Sequence, residues 1–464
     1  MAFRMGRLIV FSAVLLFIAR CAPGPEFGRV PAEAGAPEPE QDAFAYVDPG
    51  SQNVRLVSEA LQDSLCRRSD RAWKAVWKPG RRPVSRAEAE WGFRRFGKPG
   101  WTGENRLDRP EGWLTALEEK TGLAAWPNRG DFAVTQRRAD LRLLPTDKPA
   151  FENFQSPGGR YPFDMIQQSA IPPGTPLRVI HASVDGDWLY VESPVAAGWI
   201  RFSDAAMVDA AFIWQWNTGR TAAVLADDVP VRTADGRHRF RAPFGTVLPL
   251  LRRSGQGLHV LVPVTDGDGI ASAGEALLSA ETAAERPVPL TAGRLAAAVN
   301  AMMGQAYGWG GLYGNRDCSA ALQDLFAPFG ILLPRHSSAQ AAAGDSVMDL
   351  SRMTPERKER VVLRHGIPFL TLIHLKGHIM LYVGPSGGRA CVFHNLWAVR
   401  TVDARGAEGR HIVGRSVITT LTPGQRVRNA DPAADLLKRV DRMTFIVHPD
   451  SVAGPFRRLV PDGE

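Results

Sequence analysis

The chain has 464 residues, 44% of them apolar, and 56 lysine and arginine residues against 48 acidic ones give a formal net charge of +8. This composition excludes an intrinsically disordered chain, and the length predicts about two to four folded domains. The positive charge suits a polyanionic partner such as bacterial cell wall, although a soluble basic protein without one is the alternative. The basic residues form no run, helix-turn-helix pattern or zinc-ligand spacing, so we expect no nucleic-acid partner.

Residues 1–21 are predicted to be a signal peptide, because two arginines precede an apolar run over 8–19 that is too short to span a bilayer comfortably. Cys21 directly follows this run and resembles the lipid-accepting cysteine of a bacterial lipoprotein. Arg20, however, stands where lipoproteins normally carry a small residue. Lipidation of Cys21, plain secretion and retention as a membrane anchor are the three alternatives, and all predict export to the periplasm or cell envelope.

Residues 22–45 are rich in Pro, Ala, Gly and Glu and are predicted to be a linker. Residues 46–130 contain the helix-like segments VRLVSEALQDSLCRR and WLTALEEKTGLAAW. They also contain an aromatic cluster that is interpreted either as core and clamp residues or as a carbohydrate-binding face. The cluster comprises Trp73, Trp77, Trp91, Phe93, Phe96 and Trp101.

Short alternating segments between Pro, Gly and Asp turns follow, a pattern typical of small β-barrels. In residues 131–210 the segments are FAVTQ, LRLLP, PLRVIHAS, WLYVES and GWIRF. In residues 211–282 they are TAAVLAD, VPVRT, GTVLPLL and LHVLVPV. We therefore expect two small barrels in tandem.

Residues 292–450 place helical segments before strands, which predicts an α+β domain. In the stretch YGWGGLYGNRDCSAALQDLF, Cys318 is followed by apolar residues at the i, i+3, i+4, i+7 spacing of one helix face, and Gly330 is placed as a stop. The apolar residues are Leu322, Leu325, Phe326 and Phe329. Cys318 is therefore predicted to open a helix.

A helix N-terminus presents free N–H groups that stabilise a thiolate and a developing oxyanion. Asp317 can cap those groups, although its negative charge works against the thiolate. Cys66, Cys318 and Cys391 are an odd number of thiols in a chain predicted to be exported, so at least one is expected to be free, and catalysis gives it a reason. A buried small apolar residue is the alternative interpretation of Cys318.

Two histidines lie on predicted neighbouring strands, His378 in GHIMLYVG and His394 in RACVFHNLW, around the predicted hairpin turn PSGG. Pairing of Gly384 with Gly388 would place His378 opposite His394 on the same face, where the second imidazole can orient the first. The alternative is that each is a polar core or surface residue. His374 and His378 have the spacing of a helical zinc pair, but the strand pattern argues against a helix, and we expect no metal or other cofactor.

With YGWGG, DCS and GHIMLYVG in order and His394 after one turn, the last domain resembles the NlpC-type bacterial cell-wall cysteine peptidases, which are papain-like in their core. The resemblance implies that Cys318 is the nucleophile, His378 the base and His394 the third member, and that Tyr307 helps to bind the oxyanion. The segment LPRHSSAQ resembles the second loop of the family near the cleft, or else a structural helix start. Its candidate residues are Arg335, Ser337 and Gln340.

The upstream segments RLLPTDKPAF, FDMIQQSAIPPGTPLRVIHASVDGDWLYV and GWI resemble the first of two bacterial SH3 domains in a subgroup of these enzymes. That subgroup also has a mainly helical N-terminal stabilising clip. The resemblance implies a multidomain chain in which an α+β papain-like peptidase domain follows a clip and two SH3-like barrels.

Members of that subgroup act as γ-D-glutamyl-L-diamino acid endopeptidases, and the first barrel walls their cleft so that a stem peptide with a free N-terminal L-alanine is preferred. By resemblance, Asp317 and Ser319 would hold that α-amine, with Tyr161 as the candidate aromatic residue from the barrel. We further expect the glycines after Tyr307 to bring the backbone close to an extended peptide.

The sequence thus predicts an exported, metal-independent peptidase of peptidoglycan stem peptides or murein fragments. One alternative is a non-catalytic wall-binding protein that uses the basic surface and the barrels. The other is an amidase or acyltransferase on the same papain-like core.

Overall fold

The computed structural model of the protein describes residues 38–453, apart from 99, 154–156, 158–160, 237–238 and 266–268. The predicted signal peptide, Cys21 and most of the predicted linker lie outside the described residues. In the part of the chain that the structure describes, no helix is both long and apolar enough to cross a membrane.

The N-terminal region is helical, and serines set two of its helix starts. The hydroxyl of Ser58 accepts from the backbone of Leu61, and Ser85 forms a capping box with Glu88. The helices are α1 (Glu59–Trp73), α2 (Arg86–Ala89), α3 (Trp91–Phe96) and α4 (Trp113–Thr121).

The N-terminal region is packed against other parts of the fold. Phe93 and Phe96 share a core with Trp188 and Trp199, and the Trp77 indole donates to the carbonyl of Ala133 over 3.0 Å. The interpretation as core and clamp residues is therefore confirmed for Trp77, Phe93 and Phe96. Trp91 is 46% exposed.

A short segment before α1 reaches the far end of the chain. The side-chain amide of Gln41 donates to the Ile418 carbonyl over 2.8 Å and accepts from the Ile418 N–H over 3.1 Å. In α1, the buried Gln62 donates to the Val288 carbonyl over 2.6 Å. The first described residues are thus fastened to the last domain.

The first barrel is a seven-stranded sheet in the order β3-β2-β6-β5-β4-β1-β7. Its strands are β1 (Phe132–Thr135), β2 (Ala139–Arg142), β3 (Gln167–Ile171), β4 (Pro176–Ala182), β5 (Trp188–Glu192), β6 (Ala197–Arg201) and β7 (Ala205–Val208). The sequence did not indicate β3, because its buried Gln167 and Ser169 are polar and hide the alternation of the strand.

Helix α5 (Ala210–Trp216) leads to the second barrel, which has a five-stranded sheet in the order β13-β12-β11-β8-β14 and a separate β10-β9 hairpin. Its strands are β8 (Thr221–Val224), β9 (Val229–Arg232), β10 (Arg239–Ala242), β11 (Val247–Ser254), β12 (Gly257–Thr265), β13 (Ala271–Leu278) and β14 (Ala283–Arg286). Strands β13 and β14 are alanine-rich, and alanine has little strand propensity, so the sequence did not indicate them.

The last domain places helices before a six-stranded antiparallel sheet in the order β15-β20-β16-β17-β18-β19, as expected for an α+β domain. Its helices are α6 (Ala292–Met302), α7 (Cys318–Phe326), α8 (Ser337–Ala342), α9 (Pro355–His365) and α10 (Leu436–Arg439). Its strands are β15 (Ser346–Asp349), β16 (Thr371–Leu375), β17 (His378–Ser386), β18 (Arg389–Val402), β19 (Glu408–Thr420) and β20 (Arg442–Phe445). Helix α7 packs on β17 and β18.

Candidate active site

Helix α7 begins at Cys318, as the sequence predicts. Asp317 is its N-cap and accepts from the backbone N–H of Ala320 over 2.9 Å. Leu322 and Leu325 are fully buried, and Gly330 ends the following 3-10 turn with a φ of 82°. The apolar face therefore fixes the helix against the sheet and holds Cys318 at its start.

Cys318 is buried, and its thiol lies close to the backbone N–H groups of Ile379 at the start of β17 and of Ser319 in α7. Burial, joined by the negative charge of Asp317, raises the pKa of Cys318 to about 12, although those N–H groups and Arg335 act to lower it. The N–H groups at the helix start thus favour the thiolate as expected, but burial and the charge of Asp317 outweigh them. At neutral pH Cys318 is a thiol that needs a base.

The two histidines of the predicted hairpin are neighbours, but the predicted register is wrong. Gly384 pairs with Cys391 instead of Gly388, because Gly387 and Gly388 form the two-residue turn with φ values of 54° and 75°. The partners Leu381 and Phe393 set the register beyond a bulge, so His394 lies diagonally across from His378. A slip of two residues preserves the face of a strand, which is why the predicted proximity survives.

The imidazoles of His378 and His394 are joined by a hydrogen bond of 2.8 Å between Nε2 of the first and Nδ1 of the second. Nε2 of His394 lies 3.0 Å from the hydroxyl of Thr419. That hydroxyl donates to the Thr420 carbonyl over 2.8 Å, so it must accept from His394. Sequence reasoning missed Thr419, which has no motif signal.

This chain of donors fixes both tautomers. Nε2 of His394 carries its proton, so its Nδ1 accepts from Nε2–H of His378, and Nδ1 of His378 keeps a free lone pair. Burial, joined by the positive charge of Arg439, lowers the pKa of His378 to about 4, and burial holds the pKa of His394 well below its usual range. Both rings are thus neutral at pH 7. His378 adjoins Ile379, whose N–H contacts the Cys318 thiol.

Tyr307 belongs to an aromatic cluster beside this site. Its ring centroid lies 5.6 Å from that of Trp397 and 6.5 Å from that of Phe163, a residue of the first barrel. Burial, together with the neighbouring Cys318 and Asp317, raises the pKa of Tyr307 well above its ordinary value, so its hydroxyl stays protonated. Phe163 and Trp397 were not indicated by the sequence.

Asp317, Ser319 and Arg335 form one buried polar network. Arg335 makes an ion pair with Asp317, donates to the Ser319 hydroxyl, and donates over 3.0 Å to the hydroxyl of Ser169 in the first barrel. Burial acts to raise the pKa of Asp317, but Arg335 and the N–H groups around it hold that pKa below its ordinary value. The carboxylate of Asp317 is therefore ionised.

The other predicted contact residues lie in different settings. Gln340 is fully buried in α8 and donates to the Ser319 carbonyl over 2.8 Å, whereas Ser337 is half-buried at the start of α8. Tyr161 is 55% exposed, and its ring centroid is 6.4 Å from that of Tyr313, which is 70% exposed. The segment LPRHSSAQ thus combines both interpretations, since Arg335 joins the site network and α8 begins at Ser337.

His374 and His378 lie on strands β16 and β17, not on a helix. Nδ1 of His374 is 2.7 Å from the carboxylate of Asp441. Among the described residues, no group of three or more His, Cys, Asp or Glu side chains is arranged to hold a metal ion.

Four family models match the chain. By their descriptions they are "NLPC_P60 stabilising domain, N term" over 9–126, "SH3 domain (SH3b1 type)" over 149–201, "SH3 domain of SH3b2 type" over 209–254 and "NlpC/P60 family" over 304–406. Residues 304–406 therefore belong to the NlpC/P60 family. This is a family of cell-wall cysteine peptidases, and the predicted multidomain architecture is confirmed.

Among solved structures, an NlpC/P60 endopeptidase from Photobacterium damselae subsp. piscicida is 26% identical, with a TM-score of 0.79 over 88% of this chain and 97% of that chain. An NlpC/P60 family protein from Bacillus cereus ATCC 10987 is 16% identical, with a TM-score of 0.44 over 68% of this chain and 99% of that one. No curated protein matches the chain.

The glycine-rich loop of the NlpC/P60 domain lies against the first barrel. Gly310 and Gly311 have φ values of 58° and 86°. A Cβ would meet Gln167 Cγ at 2.7 Å from Gly310, and Ala170 Cβ at 2.7 Å from Gly311. The expectation that the glycines make room for an extended peptide is therefore wrong for these two, because β3 of the barrel occupies that space.

Polar contacts hold the same loop in place. The Gln167 amide donates to the Gly310 carbonyl over 3.2 Å, and the Trp309 indole donates to the Asp164 carbonyl over 2.9 Å. Arg138 donates to the Gly311 carbonyl. The loop that carries Tyr307 is thus fixed by the first barrel.

The second barrel contacts Arg316, the residue before the N-cap Asp317. The guanidinium of Arg316, buried in the NlpC/P60 domain, donates to the two carboxylate oxygens of Asp227 over 2.8 and 2.9 Å and to Asp324 over 2.6 Å. Asp227 lies in the second barrel, between β8 and β9. Both barrels therefore support the segment from Tyr307 to Cys318, and no sequence motif indicated these contacts.

Proposed function

We propose that this protein is a cysteine endopeptidase that hydrolyses the γ-D-glutamyl-L-diamino acid bond of peptidoglycan stem peptides. Cys318 is the nucleophile, His378 the base and His394 the group that orients His378. The observation that carries the proposal is the donor chain from His378 through His394 to Thr419, which leaves a lone pair on Nδ1 of His378, the residue next to Ile379, whose N–H lies close to the Cys318 thiol.

The proposed reaction starts from the neutral pair. The sulfur attacks the γ-carbonyl of the D-glutamyl residue while Nδ1 of His378 takes the thiol proton. The resulting oxyanion is bound by the N–H of Cys318, which has no intrahelical acceptor in the first turn, and by the hydroxyl of Tyr307. Protonated His378 is stabilised by its bond to His394.

Cleavage and release follow in two steps. The carbon–nitrogen bond breaks as His378 returns its proton to the amine of the diamino acid, which leaves a thioester on Cys318. Water then attacks the thioester, His378 takes a proton from it, and the thiolate leaves and is reprotonated as the acid is released. No redox change occurs, and the net reaction adds one water across the amide bond.

We also propose that the free α-amine of an N-terminal L-alanine is bound beside Asp317 and Ser319, with Tyr161 as the candidate aromatic residue from the first barrel. The ionised state of Asp317 supports this proposal. Its carboxylate already accepts from four donors, so an ammonium group must displace one of them. The Ser319 hydroxyl, at 3.1 Å, can turn away most easily.

Arg335 and Gln340 are assigned a supporting role within this proposal. Both are buried, and both hold the backbone or side chain of Ser319. They set the geometry of the amine site without needing to contact the substrate. Ser337 is half-buried at the start of α8 and is kept as a candidate contact.

Defined peptides test the proposal. Wild type, Cys318→Ala and Cys391→Ala are incubated with L-Ala-γ-D-Glu-L-diamino acid peptides, and the products are identified by mass spectrometry. We expect cleavage at the γ-glutamyl bond by wild type and Cys391→Ala and none by Cys318→Ala. Cleavage that survives Cys318→Ala refutes the mechanism, and cleavage of another bond refutes the assigned specificity. N-acetylation of the alanine is expected to abolish turnover, and unchanged turnover refutes the amine site.

We propose that the protein works outside the cytoplasm, where its substrate lies, with the N-terminal segment as its export signal. Lipid attachment at Cys21 is the proposed anchor. Labelling with a fatty-acid analogue should mark wild type and not Cys21→Ala, and labelling of both, or of neither, refutes the anchor.

A further inference from the structure

Arg439 is an exposed cation beside the catalytic histidine that the proposed mechanism does not use. It is the last residue of α10, and two residues later the N–H of Asp441 donates to the His374 carbonyl over 3.0 Å. His374 is followed by Leu375, which pairs with His378. The charge of Arg439 is close enough to lower the pKa of His378.

The backbone around Arg439 is rigid. The buried ammonium group of Lys358 donates to the carbonyls on either side, to Lys438 over 2.9 Å and to Val440 over 2.6 Å. Among the described residues, the guanidinium of Arg439 has no hydrogen bond or ion pair. A guanidinium group binds a carboxylate through two parallel hydrogen bonds, so an unpaired guanidinium on a hydrogen-bonded backbone is able to bind an anion.

Arg439 lines a pocket of about 520 Å³ that follows β18 beyond His394. Two other arginines of the pocket are already compensated, Arg400 by Glu408 and Asp431, and Arg410 by Glu408. Asp435 also lines the pocket, and burial raises its pKa. Arg439 is therefore the arginine of this pocket whose charge is available to a ligand.

The proposed reaction places the leaving group on the His378 side of the site. His378 must return its proton to the departing amine, so the diamino acid lies next to His378, while the amine site of Asp317 and Ser319 lies on the acyl side. The departing residue carries an α-carboxylate when it ends the stem peptide, and a further carboxylate when it is diaminopimelic acid. Resting on the proposed function, we propose that Arg439 binds a carboxylate of the diamino acid leaving group.

That carboxylate has two sources, the α-carboxylate and the carboxylate at the end of a diaminopimelic side chain. Four peptides separate them: L-Ala-γ-D-Glu-L-Lys, its C-terminal amide, the meso-diaminopimelic analogue, and that analogue with an α-amide. Wild type, Arg439→Gln, Arg439→Lys and the neighbouring charge control Lys438→Gln are compared by kcat/KM, with thermal unfolding as a check on folding.

A charge-assisted hydrogen bond predicts that Arg439→Gln loses about 10- to 100-fold in kcat/KM on peptides with the recognised carboxylate and changes little on the lysine amide. Arg439→Lys should lose less, and Lys438→Gln should match wild type. A uniform loss on all four peptides, which an effect on His378 alone would give, overturns the inference, as does no loss at all. If wild type cleaves none of the peptides in a Cys318-dependent manner, the proposed function fails and the inference falls with it.

Discussion

Replacement of Gly311 by alanine is expected to push the first barrel away from the glycine-rich loop. An alanine with a φ near 86° costs about 1–2 kcal/mol of backbone strain. Its Cβ would lie 2.7 Å from Ala170 Cβ and 2.9 Å from the Arg138 guanidinium, well inside the contact distance of about 3.5–4.0 Å between carbons. Overpacking of this kind costs a further ~1–3 kcal/mol. We expect a total loss of about 2–5 kcal/mol in the free energy of unfolding.

Gly314 provides the matched control for this substitution. It has a φ of 79° in the same loop, and a Cβ there would meet nothing within 4 Å. Gly314→Ala should therefore lose only the backbone cost of about 1–2 kcal/mol. Denaturant unfolding of both variants, with kcat/KM on L-Ala-γ-D-Glu-diamino acid peptides, separates the two effects. Equal losses in the two variants would refute the claim that the barrel occupies the space beside Gly311.

Three further predictions concern protons and the second barrel. The pKa of about 4 for His378, which must be neutral to act as base, predicts that kcat/KM falls on acidification only near pH 4, and an acid limb between pH 6 and 7 would contradict it. Thr419→Val should lower kcat about 10- to 100-fold with little change in KM, because the tautomer of His394 is no longer fixed, while Thr419→Ser should retain activity. Equal kcat values for the valine and serine variants in steady-state kinetics would contradict this prediction. Asp227→Asn should lower the free energy of unfolding by about 1–3 kcal/mol through the loss of a charge-assisted bond to Arg316, as measured by denaturant unfolding, and unchanged stability would show that this bond contributes nothing.

Local periodicity explains what could be predicted from the sequence. The helix start at Cys318 follows from the spacing of its apolar residues, and the shared face of His378 and His394 follows from the two-residue period of strands. The register could not be predicted, since it depends on a bulge between Tyr382 and Gly384 and on which two glycines form the turn.

The contacts between domains could not be predicted because they are long-range and polar. Arg138 and the Gly311 carbonyl are 173 residues apart, and Arg316 and Asp227 are 89 residues apart. Neither pair belongs to a periodic pattern or a motif. The burial of the Cys318 thiol, which raises its pKa, also depends on packing that composition does not show.

The attachment of Gln41 to Ile418 has a consequence for solubility. Strand β19 is the last strand of its sheet, and such an edge presents free backbone groups that can recruit another chain. Residues 304–307 cover part of this edge, and the side chain of Gln41 satisfies both backbone groups of Ile418. Gln41 lies 377 positions before Ile418 in the chain. A protein shortened past Gln41 at its N-terminus would therefore keep its catalytic groups but leave the backbone groups of Ile418 free at the edge of β19, and we expect it to aggregate.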